Sequence, residues 1–357
     1  MIPLDRTECI DKIFCGNTTD ILKTLPSDLV DCCVCSPPYY GLRSYLPEGH
    51  PDKALEIGLE ESPEAYVSKL VEVFREVRRV LKTEGTLWLN LGDSYASNWP
   101  CNRRNVIGTG SLPNGKREAR PPRMGDGLKD KDLIGIPWAV AFALRADGWW
   151  LRSDIIWANL SMVRPFQSPK PNCMPESCKD RPTKSHEYIF LLSKSERYFY
   201  DNEAIKEESI SDHPSGNGFK RPARVSYQNP DGTARGNDEQ WQGVGGKRNK
   251  RSVWQVNTVP YREAHFATFP PALIEPCILA GTSERGVCPE CGKPWIRQIE
   301  KTEKKSKDYD AYDGNGRFNS IPGNNGVNAN RKAVDGGSSI ARYDSKTIGW
   351  LPSCQCS

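Results

Sequence analysis

The sequence predicts an α/β protein with a mostly parallel sheet and helices on both faces. Two observations lead to this prediction. Short apolar runs rich in small and β-branched residues alternate, over residues 1–200, with segments whose apolar residues recur at helical spacing. A further helical segment follows two prolines near residue 270. Strands that alternate with helices are typical of parallel sheets, because the connecting helices cover both faces.

The first predicted elements are a short strand over residues 13–17, a helix that begins at Asp20 and a buried strand over residues 29–35. Pro37 and Pro38 end that strand, since proline cannot donate to a sheet ladder and fixes a rigid turn. The turn holds polar and aromatic side chains at the carboxyl end of a strand, where open α/β sheets bind ligands.

The second helix begins at Ser62, a favoured N-cap residue that is followed by a proline. Its apolar residues recur every three or four positions and form one face: Tyr66, Leu70, Phe74, Val77 and Leu81. Gly85 is expected to end this helix. The next strand, residues 86–91, leads into Gly92 and Asp93.

Three more elements complete the predicted sheet. A helix over residues 137–145 precedes a strand over residues 149–157, and residues 187–192 form another strand with residues 197–200 as its hairpin partner. A last helix opens at residues 269–271 and ends at Gly281. Helix and strand segments therefore alternate through residues 1–200 and return at residues 269–281.

Composition limits the class of protein. The chain has 357 residues, of which 37% are hydrophobic and 26% charged, which is the range of globular proteins and room for roughly two domains. No apolar run approaches the length of a membrane span, and the N-terminus has no signal-peptide pattern. Because no apolar run could span a membrane, we expect no membrane partner. Thirteen cysteines without a signal peptide favour a reducing, cytoplasmic setting.

Positive charge is concentrated in two segments, residues 99–131 and 213–251. Each holds eight Lys or Arg against three Asp or Glu, although the net charge of the chain is only +4. This distribution favours a polyanion such as a nucleic acid, and basic loops that serve solubility alone are the alternative. The candidate residues for binding it are Lys220, Arg221, Arg224, Lys247, Arg248, Lys250 and Arg251.

The stretch over residues 31–40, with Ser-Pro-Pro-Tyr at its end, resembles the catalytic loop of DNA amino-methyltransferases. These enzymes methylate cytosine N4 or adenine N6. The order of the accompanying motifs, at residues 90–95, 184–187 and 265–274, is similar to that of their circularly permuted β group. The resemblance covers residues 10–285.

The resemblance implies a Rossmann-like sheet, S-adenosylmethionine as methyl donor and double-stranded DNA as substrate. It also implies catalytic roles for Ser36, Pro37, Pro38 and Tyr39. The Ser36 hydroxyl and the Pro37 carbonyl can accept the two hydrogens of an exocyclic amine and turn its lone pair toward the methyl group. Tyr39 offers a flat face to a base that has left the stack.

The base itself is predicted to be cytosine, because the adenine enzymes more often have Asp where this chain has Ser36. Cys35 departs from the threonine usual in the cytosine group, and methylation of adenine N6 stays as the alternative. A hypothesis of a different class is a non-catalytic DNA- or zinc-binding remnant.

The resemblance also implies a cofactor site that includes Asn17, Asp93, Phe269 and Pro270. Asn17 stands where the family has Asp, and Asp93 is equally compatible with a cap at the strand end. His186 and its neighbour Glu187 are expected to form a structural pair.

Family members continue after the last helix with a strand and a Gly-Ser-Gly-Thr-like loop that holds the cofactor. No such loop follows Gly281 in this sequence. The strand that carries the cofactor loop is therefore expected to be missing, as in a fragment, a truncated reading frame or half of a split enzyme. We expect a complementary C-terminal fragment as a partner, and no turnover by residues 1–357 alone.

The C-terminal segment contains two cysteine pairs, Cys288/Cys291 and Cys354/Cys356. Their spacing predicts a four-thiolate zinc site, with free surface thiols as the alternative. The residues between the pairs are rich in Lys, Asn, Gly and Asp, and we expect them to be disordered.

The expected organisation has four parts. Residues 1–200 form the first part of the catalytic domain, 201–260 a target-recognition region, 261–285 a return to the catalytic domain and 286–357 a cysteine-containing insertion. A restriction endonuclease is a further expected partner.

Overall fold

The computed structural model describes residues 4–47, 49–96, 127–161, 170–171, 178–208, 247–258, 268–303 and 343–356, and most of the predicted elements are found there. The helices are α1 (Thr18–Thr24), α2 (Pro63–Val80), α3 (Ile136–Ala146) and α4 (Pro271–Gly281), with short 3-10 turns at Thr7–Cys9 and Lys53–Leu55. The strands are β1 (Val30–Cys35), β2 (Leu81–Leu91), β3 (Trp150–Ser161), β4 (Lys170–Pro171), β5 (His186–Ser193), β6 (Glu207–Glu208), β7 (Lys247–Arg248), β8 (Val253–Val256), β9 (Trp295–Glu303) and β10 (Tyr343–Pro352).

The central sheet has the strand order β1-β2-β5-β3-β4, and β8 also pairs with β3. Strands β1 and β2 are parallel, as are β3 and β8, whereas β5 is antiparallel to both of its neighbours. Four strands, β1, β2, β3 and β8, therefore run in the same direction. The prediction of a Rossmann-like α/β sheet is confirmed, but the sheet is mixed and not mostly parallel, since three of its five described strand pairings are antiparallel.

Strand β2 divides two apolar cores because its side chains alternate between the faces of the sheet. Leu87, Leu89 and Leu91 pack with α2 and α3 in one core, while Trp88 packs with α4 and β8 in the other. Trp88 and the three leucines are almost fully buried, and each contributes about 1.5–3 kcal/mol of hydrophobic free energy. Helices therefore cover both faces of the sheet, as the alternation predicts.

The start of α2 also agrees with the prediction, but its end does not. The Ser62 hydroxyl accepts a hydrogen bond from the Ala65 N–H at 3.2 Å, which is the expected N-cap. The helix ends at Val80, and β2 begins at once with Leu81. Gly85 lies inside β2, where the register with β1 is irregular, and does not end the helix.

Two predicted strands are absent from the described residues. Residues 13–17 form no strand, and the Ile13 side chain is 99% exposed, because no neighbouring strand pairs with this segment there. Residues 197–200 form no hairpin strand, since the Phe199 N–H donates to the Glu84 carbonyl at 2.9 Å instead. No helix in the described ranges is both long and apolar enough to span a membrane.

Strand β8 extends the central sheet from within residues 201–260, the segment expected for target recognition. Strands β9 and β10 form a separate antiparallel hairpin. This C-terminal hairpin contacts the rest of the protein through Arg297, whose guanidinium pairs with the buried Asp201 carboxylate at 2.9 Å.

Candidate active site

The predicted catalytic loop follows β1 directly, and two tyrosines hold it. Ser36 is exposed, and the Pro38 carbonyl accepts a hydrogen bond from the Tyr66 hydroxyl at 2.9 Å. No donor among the described residues reaches the Pro37 carbonyl. The loop thus offers two acceptors next to each other, the Ser36 hydroxyl and the Pro37 carbonyl, at the end of a strand.

The Tyr39 hydroxyl is the centre of a hydrogen-bond network. It lies 2.5 Å from Glu187 Oε2 and 3.0 Å from Asn90 Oδ1, and the Ser36 hydroxyl donates to it at 3.4 Å. Asn90 Nδ2 in turn donates to Glu187 Oε2 at 3.2 Å and to the Tyr188 carbonyl at 3.1 Å. Strands β2 and β5 therefore fix the orientation of the Tyr39 ring.

Two glycines make room for this tyrosine. A Cβ atom on Gly92 would lie 2.5 Å from Tyr39 Cε2 and 2.7 Å from its Cδ2, so the ring packs directly on the glycine backbone. Gly58 has a φ of +102°, and its Cβ would lie 3.0 Å from the Tyr39 carbonyl. The position of Tyr39 requires glycine at residue 92.

Burial raises the pKa of the phenol and thiol groups in this region, so these groups keep their protons. Desolvation, reinforced by the Glu187 carboxylate, raises the pKa of Tyr39 well above its usual value. Burial also raises the pKa of Cys32 to about 11 and that of Cys35 to about 11. Burial raises the pKa of Cys33 further still. The phenol is neutral at physiological pH, and none of the three thiols of β1 supplies a thiolate nucleophile there.

Asp93, which follows β2, caps helix α3. Its Oδ1 accepts hydrogen bonds from the N–H groups of Gly135 and Ile136 at 3.0 Å each and from Ser94 at 2.9 Å. Its second carboxylate oxygen has no donor among the described residues. Because β1 and β2 are parallel neighbours, Asp93 and Ser36 lie at the same edge of the sheet.

The other predicted cofactor residues lie on different elements. Asn17 caps α1, where its Oδ1 accepts from the Thr19 and Asp20 N–H groups at 3.0 and 3.3 Å. Phe269 packs against the core that contains Trp88, and Pro270 is the N-cap residue of α4. Helix α1 packs on α2, whereas α4 packs on the opposite face of the sheet. The structure thus brings Asp93 to the edge with Ser36, and places Asn17 and Phe269 in separate helix layers.

The predicted DNA-binding residues fall into two groups. Lys220, Arg221 and Arg224 lie outside the described residues. Among the others, Arg248 and Arg251 both donate to Glu207 Oε1, at 2.9 and 2.8 Å.

The two lysines of the same group differ in their surroundings. Lys247 is exposed, and the Lys250 ammonium lies 5.1 Å from the centre of the Trp254 ring. The Glu207 carboxylate therefore partly offsets the positive charge of these two arginines and two lysines.

Two contributors to this site, Glu187 and Gly92, are not predicted from the sequence. The sequence predicts that Glu187 pairs with His186, but the Glu187 carboxylate reaches the Tyr39 hydroxyl. Gly92 had a usable signal, since a glycine directly after a buried strand often marks a close approach of another group to the backbone. Burial, together with Lys184, lowers the pKa of His186, so this imidazole favours its neutral form.

The predicted metal ligands do come together. The sulfur atoms of Cys288, Cys291, Cys354 and Cys356 all lie within 4.8 Å of one another. They belong to the C-terminal hairpin and to the turn that precedes it, apart from the catalytic loop.

Known proteins resemble this chain over most of its length. A Type II methyltransferase of Citrobacter freundii, M.Cfr9I, is 45% identical over 274 residues, which are 76% of this chain and 72% of the relative. A Type II methyltransferase of Serratia marcescens, M.SmaI, is 42% identical over 289 residues, 79% of this chain and 81% of the relative.

Among solved structures, the PvuII cytosine-N4-specific DNA methyltransferase matches 76% of this chain and 70% of its own, with 14% identity and a TM-score of 0.42. The N6/N4 methyltransferase family model, described as DNA methylase, matches residues 30–288. Since this match and the two bacterial relatives both cover most of the sequence, the chain belongs to the N6/N4 methyltransferase family of DNA methylases.

Proposed function

We propose that this DNA methylase transfers a methyl group from S-adenosylmethionine to N4 of a cytosine flipped out of double-stranded DNA. The observation that carries the proposal is the pair of acceptors at the end of β1: the exposed Ser36 hydroxyl and the Pro37 carbonyl, which has no donor among the described residues. An exocyclic amine brings two hydrogens, and two acceptors side by side suit it. Serine at position 36 supports cytosine, by resemblance to the cytosine group of the family.

The two acceptors would compensate for the poor nucleophilicity of the amine. Its lone pair is delocalised into the pyrimidine ring, and hydrogen bonds from both N–H groups to Ser36 and Pro37 favour the geometry in which the lone pair points out of the plane. Methyl transfer then needs the amine nitrogen, the methyl carbon and the sulfonium sulfur in line. Most of the rate enhancement would come from holding this geometry.

Tyr39 would hold the cytosine ring, since its own ring is fixed at both ends. The hydroxyl is bound by Glu187 and Asn90, and the ring edge rests on Gly92. A fixed aromatic face stacks a flipped base with little loss of side-chain entropy. In this proposal Glu187 positions Tyr39 and does not touch the base.

The residues present at the sheet edge fit the methyl donor. Asp93 uses one carboxylate oxygen as a helix cap and has the other available for a hydroxyl or amino group of S-adenosylmethionine. Phe269 is partly exposed where α4 begins and offers apolar surface for the adenine ring, with the buried Pro270 beside it. Asn17, in the other helix layer, is the remaining candidate for the same cofactor. When bound, the donor supplies an electrophilic methyl group.

We assign DNA contacts to the basic residues of the target-recognition region, residues 201–260, and we infer a restriction endonuclease as partner. The exposed Lys247 supports the first assignment, because no carboxylate among the described residues pairs with its ammonium group and a phosphate can reach it. The name of the relatives, Type II methyltransferase, supports the second.

Nucleoside analysis of DNA tests the base and the activity together. The chain is expressed in a host without DNA methylation of its own, and its digested DNA is analysed by mass spectrometry, with Ser36→Ala expressed to the same level as control. The proposal predicts N4-methylcytosine with the parent and a strong reduction with Ser36→Ala, whereas the missing Gly-Ser-Gly-Thr-like loop predicts no product from residues 1–357 alone. N6-methyladenine in its place would overturn the assignment to cytosine, and the absence of both would contradict methyl transfer by residues 1–357.

A further inference from the structure

Four cysteine side chains converge at one end of the C-terminal hairpin. Their sulfur atoms all lie within 4.8 Å of one another, and all four are free thiols. Two come from the turn before β9 and two from the residues after β10. Since β9 and β10 are antiparallel, with Trp295 opposite Pro352, the hairpin itself brings the two pairs together.

The turn that carries the first pair has the backbone of a metal-binding knuckle. The Cys288 N–H donates to the Lys293 carbonyl at 2.8 Å, and the Gly292 N–H donates to the Cys288 carbonyl at 2.9 Å. Gly292 has a φ of +71°, which a residue with a side chain rarely adopts.

The second pair is fixed to this turn by a side chain. The Ser353 hydroxyl donates to the Pro294 carbonyl at 2.6 Å, directly before Cys354. Hydrogen bonds within the protein therefore hold both pairs in place.

We propose that Cys288, Cys291, Cys354 and Cys356 bind one Zn²⁺ ion as a tetrahedral four-thiolate site. With Zn–S bonds of about 2.3 Å, a tetrahedron needs sulfur atoms about 3.8 Å apart, which the observed cluster allows. A disulfide would need two sulfurs within bonding distance, and none is formed. Four protein ligands leave no open position for a water molecule, so the role of the ion is structural.

The zinc site would stabilise more than the hairpin, because its knuckle is joined to the catalytic strand. The Lys82 ammonium donates to the Gly292 carbonyl at 2.8 Å and also pairs with the Asp31 carboxylate at 2.8 Å. Gly292 follows a zinc ligand directly, and Asp31 lies in β1, the strand that ends at Ser36. Loss of the ion would loosen the hairpin and remove this support from β1.

Metal analysis of the purified full-length chain tests the proposal directly. Protein prepared under reducing conditions without chelators should contain one zinc per chain. Cys288→Ser and Cys356→Ser should each lose most of it. Cys15→Ser is the matched control, because Cys15 is an exposed free cysteine outside the cluster, and it should retain full zinc.

A second measurement covers the case in which the cysteine variants fail to fold. The parent protein is treated with a strong chelator, and the thiols that react with a chromogenic reagent are counted before and after treatment. Four more thiols should react after zinc is removed, and cobalt(II) added to the stripped protein should give the absorption bands of a tetrahedral four-thiolate complex.

Several outcomes would overturn the inference: parent protein without metal, one iron per chain in place of zinc, or full zinc in Cys288→Ser. Two disulfides within the cluster under reducing conditions would do so as well. None of these results depends on DNA methylation, so the zinc site and the proposed function can fail independently of each other.

Discussion

Gly92→Ala should disable the enzyme through Tyr39 alone. The added methyl group would lie 2.5 Å from the nearest ring carbon of Tyr39. Since carbon atoms prefer a separation of about 3.5 Å or more, the ring must move by about 1 Å. It cannot rotate away freely, because its hydroxyl is held by Glu187 and Asn90.

The two consequences of this displacement have different magnitudes. Crowding in a packed site should lower the free energy of unfolding by about 1–3 kcal/mol. A displacement of about 1 Å at the surface that stacks the base should lower methyl transfer by about a hundredfold. The variant should therefore remain folded at moderate temperature and still be nearly inactive.

Gly281→Ala is the matched control for the effect on stability. Its methyl group would lie 2.7 Å from Thr86 Oγ1 and 2.8 Å from Cys32 Sγ, an equally severe contact at the end of α4. Neither glycine has a positive φ, so only the steric contact differs between the variants. Thermal unfolding and transfer of tritiated methyl groups to DNA are measured for both. Equal loss of activity in the two variants, or full activity in Gly92→Ala, would refute the role assigned to the Tyr39 position.

Four further predictions concern other parts of the site. Glu187→Gln keeps the size of the side chain but removes the negative acceptor, so methyl transfer should fall about tenfold with little change in DNA affinity, and unchanged transfer would contradict the positioning role. Asp93→Ala removes the cap of α3 and should lower stability by about 0.5–2 kcal/mol in chemical denaturation, whereas Asp93→Asn should recover most of this loss. Folding raises the pKa of Tyr39, so the unfolded chain loses this proton at a lower pH than the folded protein does. The free energy of unfolding should therefore fall as the pH rises above about 10. Denaturation curves recorded at several pH values should show a shallower fall for Tyr39→Phe. Glu207→Gln frees Arg248 and Arg251 from a shared partner, so DNA binding should tighten and depend more steeply on salt, and an identical salt slope would show that neither arginine reaches a phosphate.

Local signals in the sequence predicted much of the fold. Ser62 and the periodic apolar face of α2 gave the start and the buried side of that helix, because capping and helical spacing depend on neighbouring residues alone. The end of β1 at the two prolines was equally clear. The irregular start of β2 could not be predicted from local signals, since the register between β1 and β2 depends on the pairing of two distant strands.

The candidate site shows the same division between local and distant contacts. Ser36 and Tyr39 could be predicted as site residues from one short stretch of sequence. The partner of Tyr39 is 148 residues away along the chain, so no spacing rule could identify Glu187. The role of Asp93 as a cap was weighed from its place at a strand end, but its partner helix begins 43 residues later.

The reversed direction of β5 has a consequence for where functional residues occur in such a protein. Around β1 and β2 the residues that reach the site lie at the end of the strand or just after it, because the carboxyl ends of parallel strands meet at one edge. Strand β5 runs the other way, with Tyr188 opposite Leu91, so its beginning lies at that same edge. Glu187 therefore belongs to the site because it lies at the amino end of its strand. Where a reversed strand lies between parallel ones, the residues at its amino end are as well placed for chemistry as those at the carboxyl ends of its neighbours.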